Sequence, residues 1–91
     1  MSDVHGNPDE IRQFARHLKK LANELSNLRN STRSKMNHLN QSWRDKENAQ
    51  FVEQFEKDIR PLAKLIKTSE KYSKFLEKKA KSLDNYLKTK M

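Results

Sequence analysis

The run Asn40-Gln41-Ser42-Trp43-Arg44-Asp45-Lys46 decides the fold. It holds the only tryptophan of the chain and separates two long stretches of helical apolar spacing. Polar residues cluster in it, and Ser42 or Asp45 can cap a helix that follows. It contains no glycine, so any unusual dihedral angle would fall to Asn, Ser or Asp. The expectation is an elbow over residues 41–45, with one large aromatic side chain placed to lock two helical arms together.

The arm before the elbow starts at Asn7-Pro8-Asp9-Glu10. This reads as a helix N-cap, a proline in the first turn and two acids that suit the positive end of the helix dipole. Glu10 can also reach back to the cap. Ile11, Phe14, Leu18, Leu21, Leu25 and Leu28 then recur at alternating steps of three and four, which is a coiled-coil seam. The seam continues through Thr32, Met36, Leu39 and Trp43 with two successive steps of four, a stutter that rotates it. Helix one is predicted from about Pro8 to about Asn40, roughly 50 Å at ~1.5 Å per residue.

The arm after the elbow is predicted from about Lys46 to about Lys88. Its seam is Val52, Phe55, Ile59, Leu62, Ile66, Ser69, Ser73, Leu76, Ala80, Leu83 and Leu87. Beside it runs a second apolar column of Phe51, Leu65, Tyr72 and Tyr86, so the stripe is wider than a two-stranded seam needs. Pro61 removes one backbone donor, but the seam keeps its phase across it, which reads as a bend and not a break.

The fold class is therefore all-α: an antiparallel hairpin of two long helices, one domain over residues 1–91. The 91 residues include one Gly, two Pro and no Cys, so neither disulfides nor thiolate metal sites enter. No run approaches the ~20 apolar residues of a membrane span. Met1-Ser2-Asp3-Val4-His5-Gly6 lacks a basic and then apolar leader, so export would take a route that needs no cleavable signal peptide. A hairpin this small leaves its apolar stripe half wet, and pairing two hairpins into a four-helix bundle buries it. A two-fold homodimer is the default, with a heterodimer of related chains as the alternative.

Charge is ordered along helix two. Lys57, Arg60, Lys64, Lys67, Lys71, Lys74, Lys78 and Lys81 make one basic ridge away from the seam. Glu56, Glu70, Glu77 and Asp84 form an acidic column, each with a base four residues on, the favourable orientation for a helical ion pair. Lys64, Lys71 and Lys78 have no acid four residues before them. From Arg60 onward there are ten bases and three acids, which is +7 of the total +8. The plainest reading of the ridge is a solvated face; a protein partner ranks next and nucleic acid third. Phe75 is the one aromatic on the ridge side and Arg60 its one arginine, so base stacking and bidentate base readout lack residues.

Chemistry finds no constellation. His5, His17 and His38 are too far apart for a ligand pair on one helix face, and no phosphate loop or nucleophile elbow is present. No enzyme activity, metal or cofactor is expected.

A central Trp43 at the elbow of a helical hairpin, Phe51 eight residues later, the Pro8-Asp9-Glu10 start and the Leu18/Leu21/Leu25/Leu28 seam together resemble the WXG family. These are small bacterial proteins like the early secreted antigens exported by type VII secretion, and the likeness spans nearly the whole chain. The resemblance implies a homo- or heterodimeric four-helix bundle, export in the folded state, and a role as secreted partner, adaptor or chaperone-like component of a secretion machine. It places the protein in the bacterial cytoplasm or outside the cell. Two positions depart from the family pattern. Asp45 stands where the family has glycine, and Tyr86 is followed four residues on by Lys90 where the family's export signal has an acid.

Overall fold

A computed structural model describes residues 6–90, so His5 and the leader positions before it lie outside the described residues. The described chain is two helices, α1 (Pro8–Ser42) and α2 (Lys46–Lys90), laid antiparallel in a single layer measuring 69 × 22 × 12 Å. Asn7 caps α1 in extended backbone, its side-chain oxygen accepting from the N–H of Asp9 at 2.9 Å and of Glu10 at 3.4 Å. α2 continues through Pro61 without interruption, as the unbroken phase of its seam predicts.

Both helices run two residues past their predicted ends. For α1 the polar cluster misled, because these side chains bond back onto the helix. The Ser42 hydroxyl donates to the Leu39 carbonyl at 3.1 Å, and the Trp43 N–H donates to the same oxygen at 3.0 Å. Such bonds satisfy the carbonyls that a helix end leaves open.

The inward row of α1 differs from the predicted seam. Its buried residues are Ala15, Ala22 and Met36, with Leu18, Leu25, Arg29 and Thr32 half-buried between them. These positions step by three and four without a stutter from Ala15 to Met36, so the rotation inferred from Thr32 and Met36 is not needed. Phe14 and Leu28, which had been read into the seam, stay 55% and 62% exposed, and Leu21 is half-buried. Ranking residues by hydrophobicity passes over alanine, yet only a small side chain lets two helix backbones come close. α2 answers with small residues of its own, since Ser69, Ser73 and Ala80 are buried beside Ile66 and Leu83. The rest of its predicted seam from Val52 to Leu76 is half-buried, while Leu87 is exposed. No large side chain of the described residues is completely buried.

Candidate interaction surface

The elbow is built by Asp45 and Trp43 acting on the two helix ends. The Asp45 carboxylate accepts from the Asn48 N–H at 2.9 Å and so caps α2. That bond is the main reason its carboxyl sits below the usual aspartate range; partial desolvation opposes the shift, and the Trp43 side-chain donor and the Glu47 N–H add to it. Asn48 donates its side-chain amide to the Asn40 side-chain oxygen at 2.8 Å, and the Arg44 side chain donates to the Asn40 carbonyl at 3.3 Å. Trp43 takes extended backbone angles, φ −126° and ψ 104°. Among the described residues no non-glycine residue has positive φ, so no residue of the elbow adopts a left-handed conformation. The place where a glycine was expected needs instead a side chain that accepts from a helix N-terminus, and aspartate is among the best for that.

The half-buried Trp43 ring packs on Phe51 at a centroid distance of 5.9 Å, and Phe51 on Phe55 at 6.1 Å. Both pairs are tilted, in the range where aromatic contacts are favourable. Trp43 therefore reaches from the end of α1 onto the first two turns of α2, which is how an elbow with only Trp43 and Arg44 between the last residue of α1 and the Asp45 cap holds its angle.

The layer has two unlike faces. On one face Phe14, Leu18, Tyr72, Phe75 and Leu76 line an apolar groove between the helices, with Lys71 at its edge. Nearer the elbow, Thr32, Lys35, Met36, Leu39, Phe51 and Phe55 line a second groove. Helical phase puts Leu21, Leu25 and Leu28 of α1 and Leu65 of α2 on this same face. Leu62 and Ile66 sit at the helix–helix seam, half-buried and buried. Tyr72 is 54% exposed and Phe75 64% exposed. Phe75 was counted with the basic ridge, but it stands three residues after Tyr72 and lines the apolar groove. Its spacing from Tyr72 was the signal that could have placed it.

The opposite face is polar. Lys19 and Asn23 of α1 meet Glu70, Ser73, Lys74 and Glu77 of α2 along a shallow cleft. At its ends two ion pairs cross between the helices. Arg12 donates to Asp84 at 2.6 Å and to Asp9 at 2.9 Å, and Arg33 donates to Glu56 at 3.2 Å. The Asp84 carboxyl is held below its ordinary range chiefly by the Arg12 hydrogen bond, and the guanidinium is pushed up in turn by Asp84 and then Asp9. Here the structure amends the acid-before-base reading: the hydrogen-bonding partners of Glu56 and Asp84 are Arg33 and Arg12 of α1, and Lys88 adds only a weaker charge attraction to Asp84. Lys57 does pair along the helix with Glu53, at 3.4 Å.

The ridge residues Arg60, Lys64, Lys67, Lys71, Lys74, Lys78 and Lys81 are all exposed. No group of His, Cys, Asp and Glu among the described residues could hold a metal ion, and no described helix is long and apolar enough to cross a membrane.

No curated protein and no solved structure matches the sequence. A family model does: that of the proteins of 100 residues with WXG, over residues 3–86. With nearly the whole chain matched and two long helices joined at Trp43, this protein belongs to the WXG100 family.

Proposed function

We propose that the chain is a non-enzymatic protein-interaction module of a type VII secretion system, and that it pairs with a second copy through its apolar face to form a four-helix bundle. One observation carries this reading. The hairpin completely buries no large side chain, while Phe14, Leu28, Leu65 and Tyr72 are about half exposed or more, on one face. Single exposed apolar residues are ordinary, but several gathered on one face beside two apolar grooves mark a surface that another molecule covers. Membership of the WXG100 family supports the secretion context, and closed two-fold pairing supports a second copy as the occupant. The residues assigned to the pairing are Phe14, Leu18, Leu21, Leu25, Leu28, Leu65, Tyr72 and Leu76, with Phe55, Leu62 and Ile66 holding the hairpin behind them.

Sedimentation equilibrium of the purified protein, alongside a Leu28→Asp/Tyr72→Asp variant, tests the proposal. The expected result is a dimer for the natural sequence and a helical monomer for the variant. A natural-sequence monomer that keeps its full helical circular dichroism overturns the homodimer, and recovery of a 1:1 complex on adding a related chain would replace it with a heterodimer.

A further inference from the structure

We infer that the basic ridge of α2 is a peripheral docking surface for an anionic lipid bilayer. Lys64, Lys67, Lys71, Lys74, Lys78 and Lys81 follow Pro61 in one uninterrupted helical stretch, and all six are exposed. They span roughly 26 Å at ~1.5 Å per residue. The acids of this stretch, Glu70 and Glu77, face the cleft shared with Lys19 and Asn23, on the α1 side of the helix. At the two ends Glu56 and Asp84 are bound to Arg33 and Arg12. Glu56, Glu70, Glu77 and Asp84 are thus turned toward α1; Lys74 shares the cleft with Glu70 and Glu77, whereas Lys64, Lys67, Lys71, Lys78 and Lys81 line no cleft that holds a carboxylate.

The residue types choose between anionic partners. A tight protein interface needs buried aromatic or arginine anchors seated in pockets, and the ridge holds a single arginine, Arg60, which is exposed, among lysines. Base readout favours arginine, and single-strand binding needs several stacking aromatics. Phe75, the nearest aromatic, belongs to the apolar groove. A straight row also meets the curved phosphate backbone of a duplex at few points. A bilayer asks for none of these features: it is flat over the length of the row, and its headgroups diffuse to meet fixed ammonium groups. Each lysine within about a Debye length of an anionic surface strengthens binding several-fold, and salt weakens the attraction. Lys71 borders the apolar groove, but Lys64, Lys67, Lys74, Lys78 and Lys81 line neither apolar groove, so this docking is open to the hairpin alone and to a pair of hairpins.

The test is co-sedimentation of the protein with phosphatidylglycerol/phosphatidylcholine vesicles and with pure phosphatidylcholine vesicles, at low salt and at about 0.5 M salt. Binding is expected only to the anionic vesicles, and high salt should abolish it. Lys64→Glu/Lys71→Glu/Lys78→Glu should reduce partitioning about a hundredfold or more, with helical circular dichroism unchanged. Arg16→Glu/Lys20→Glu/Lys46→Glu makes the same change in net charge elsewhere, and it should retain most of the binding. Equal loss in both variants would assign the effect to net charge and overturn the ridge. Failure to bind anionic vesicles, or preference for a DNA duplex in a parallel titration, would also overturn it. The oligomeric state is read separately, so failure here leaves the pairing proposal standing.

Discussion

The Ser73 hydroxyl donates to the carbonyl oxygen of Ala15 at 2.7 Å, across the seam of the hairpin. Both residues are buried, and the bond joins the middle of α2 directly to the backbone of α1. A side-chain-to-backbone bond of this kind forms only where no bulky group separates the two helices. It therefore marks the register of the hairpin as well as its closeness.

Ser73→Ala should cost about 1 kcal/mol, the net worth of one ordinary hydrogen bond, because the Ala15 carbonyl sits inside α1 with its own helical donor. Ala22→Leu should cost more, about 1–3 kcal/mol, by forcing the backbones apart. Urea unfolding followed by circular dichroism separates the two. A leucine at position 22 that leaves the midpoint unchanged would show that the helices are not held together by small residues.

Trp43→Ala should destabilise by about 2 kcal/mol, below the ~3–5 kcal/mol typical of a fully buried tryptophan, because the ring is only half-buried. Trp43→Phe keeps a ring against Phe51 and should recover much of the loss. Tryptophan fluorescence of the natural protein should shift to the red in the same transition that removes helical signal. A separate, earlier shift would mean that the elbow opens before the helices part.

Asp45 and Asp84 should make the hairpin acid-sensitive. Both carboxyls lie below their ordinary values in the folded chain, through the Asn48 N–H and through Arg12 respectively. A carboxyl of this kind contributes fully above the unfolded value of about 3.9 and loses its contribution as pH falls through the lowered folded value. The thermal midpoint should therefore hold steady down to about pH 5 and fall below about pH 4. Asp45→Asn keeps an acceptor for the Asn48 N–H but no longer titrates, so its fall should be shallower. Asp45→Ala should be less stable at every pH.

Arg12→Met should loosen the open end of the hairpin while sparing the elbow. Arg12 ties the first turns of α1 to Asp84. Amide exchange should speed up around residues 8–14 and 80–88 and stay unchanged around residues 40–55. Uniform acceleration would show that the ends and the elbow unfold as one unit. Raising the salt should move the natural protein part of the way toward the variant, since the pair is partly open to solvent.

Helix number, elbow and overall architecture were legible because they rest on long repeated patterns. The row of α2 from Val52 to Leu83 was readable for the same reason. Of the inward row of α1, Leu18, Leu25, Thr32 and Met36 were readable, but Ala15, Ala22 and Arg29 were not, because the alanines are inconspicuous next to Phe14 and Leu21, and which of two adjacent columns faces the partner helix depends on the shape of that partner. Phe75 borders both the ridge lysine Lys71 and the apolar groove, and only the first of these could be read from its column. Glu56 and Asp84 illustrate a different limit: sequence spacing offers each a base four residues on, and only the fold offers Arg33 and Arg12. The role of Asp45 was half visible. Its capping ability could be read directly, but that the turn needs no left-handed residue depends on backbone angles that no residue type announces.

The single layer of the hairpin also bears on passage through a narrow opening. The backbone of the hairpin extends 69 Å in length and only 22 × 12 Å across, before the side chains are added. A second hairpin laid against the apolar face would thicken the short side and leave the length unchanged. A folded rod of this shape can enter an opening that would bar a sphere of equal mass. The limiting dimension would then be set by whether one layer or two travels.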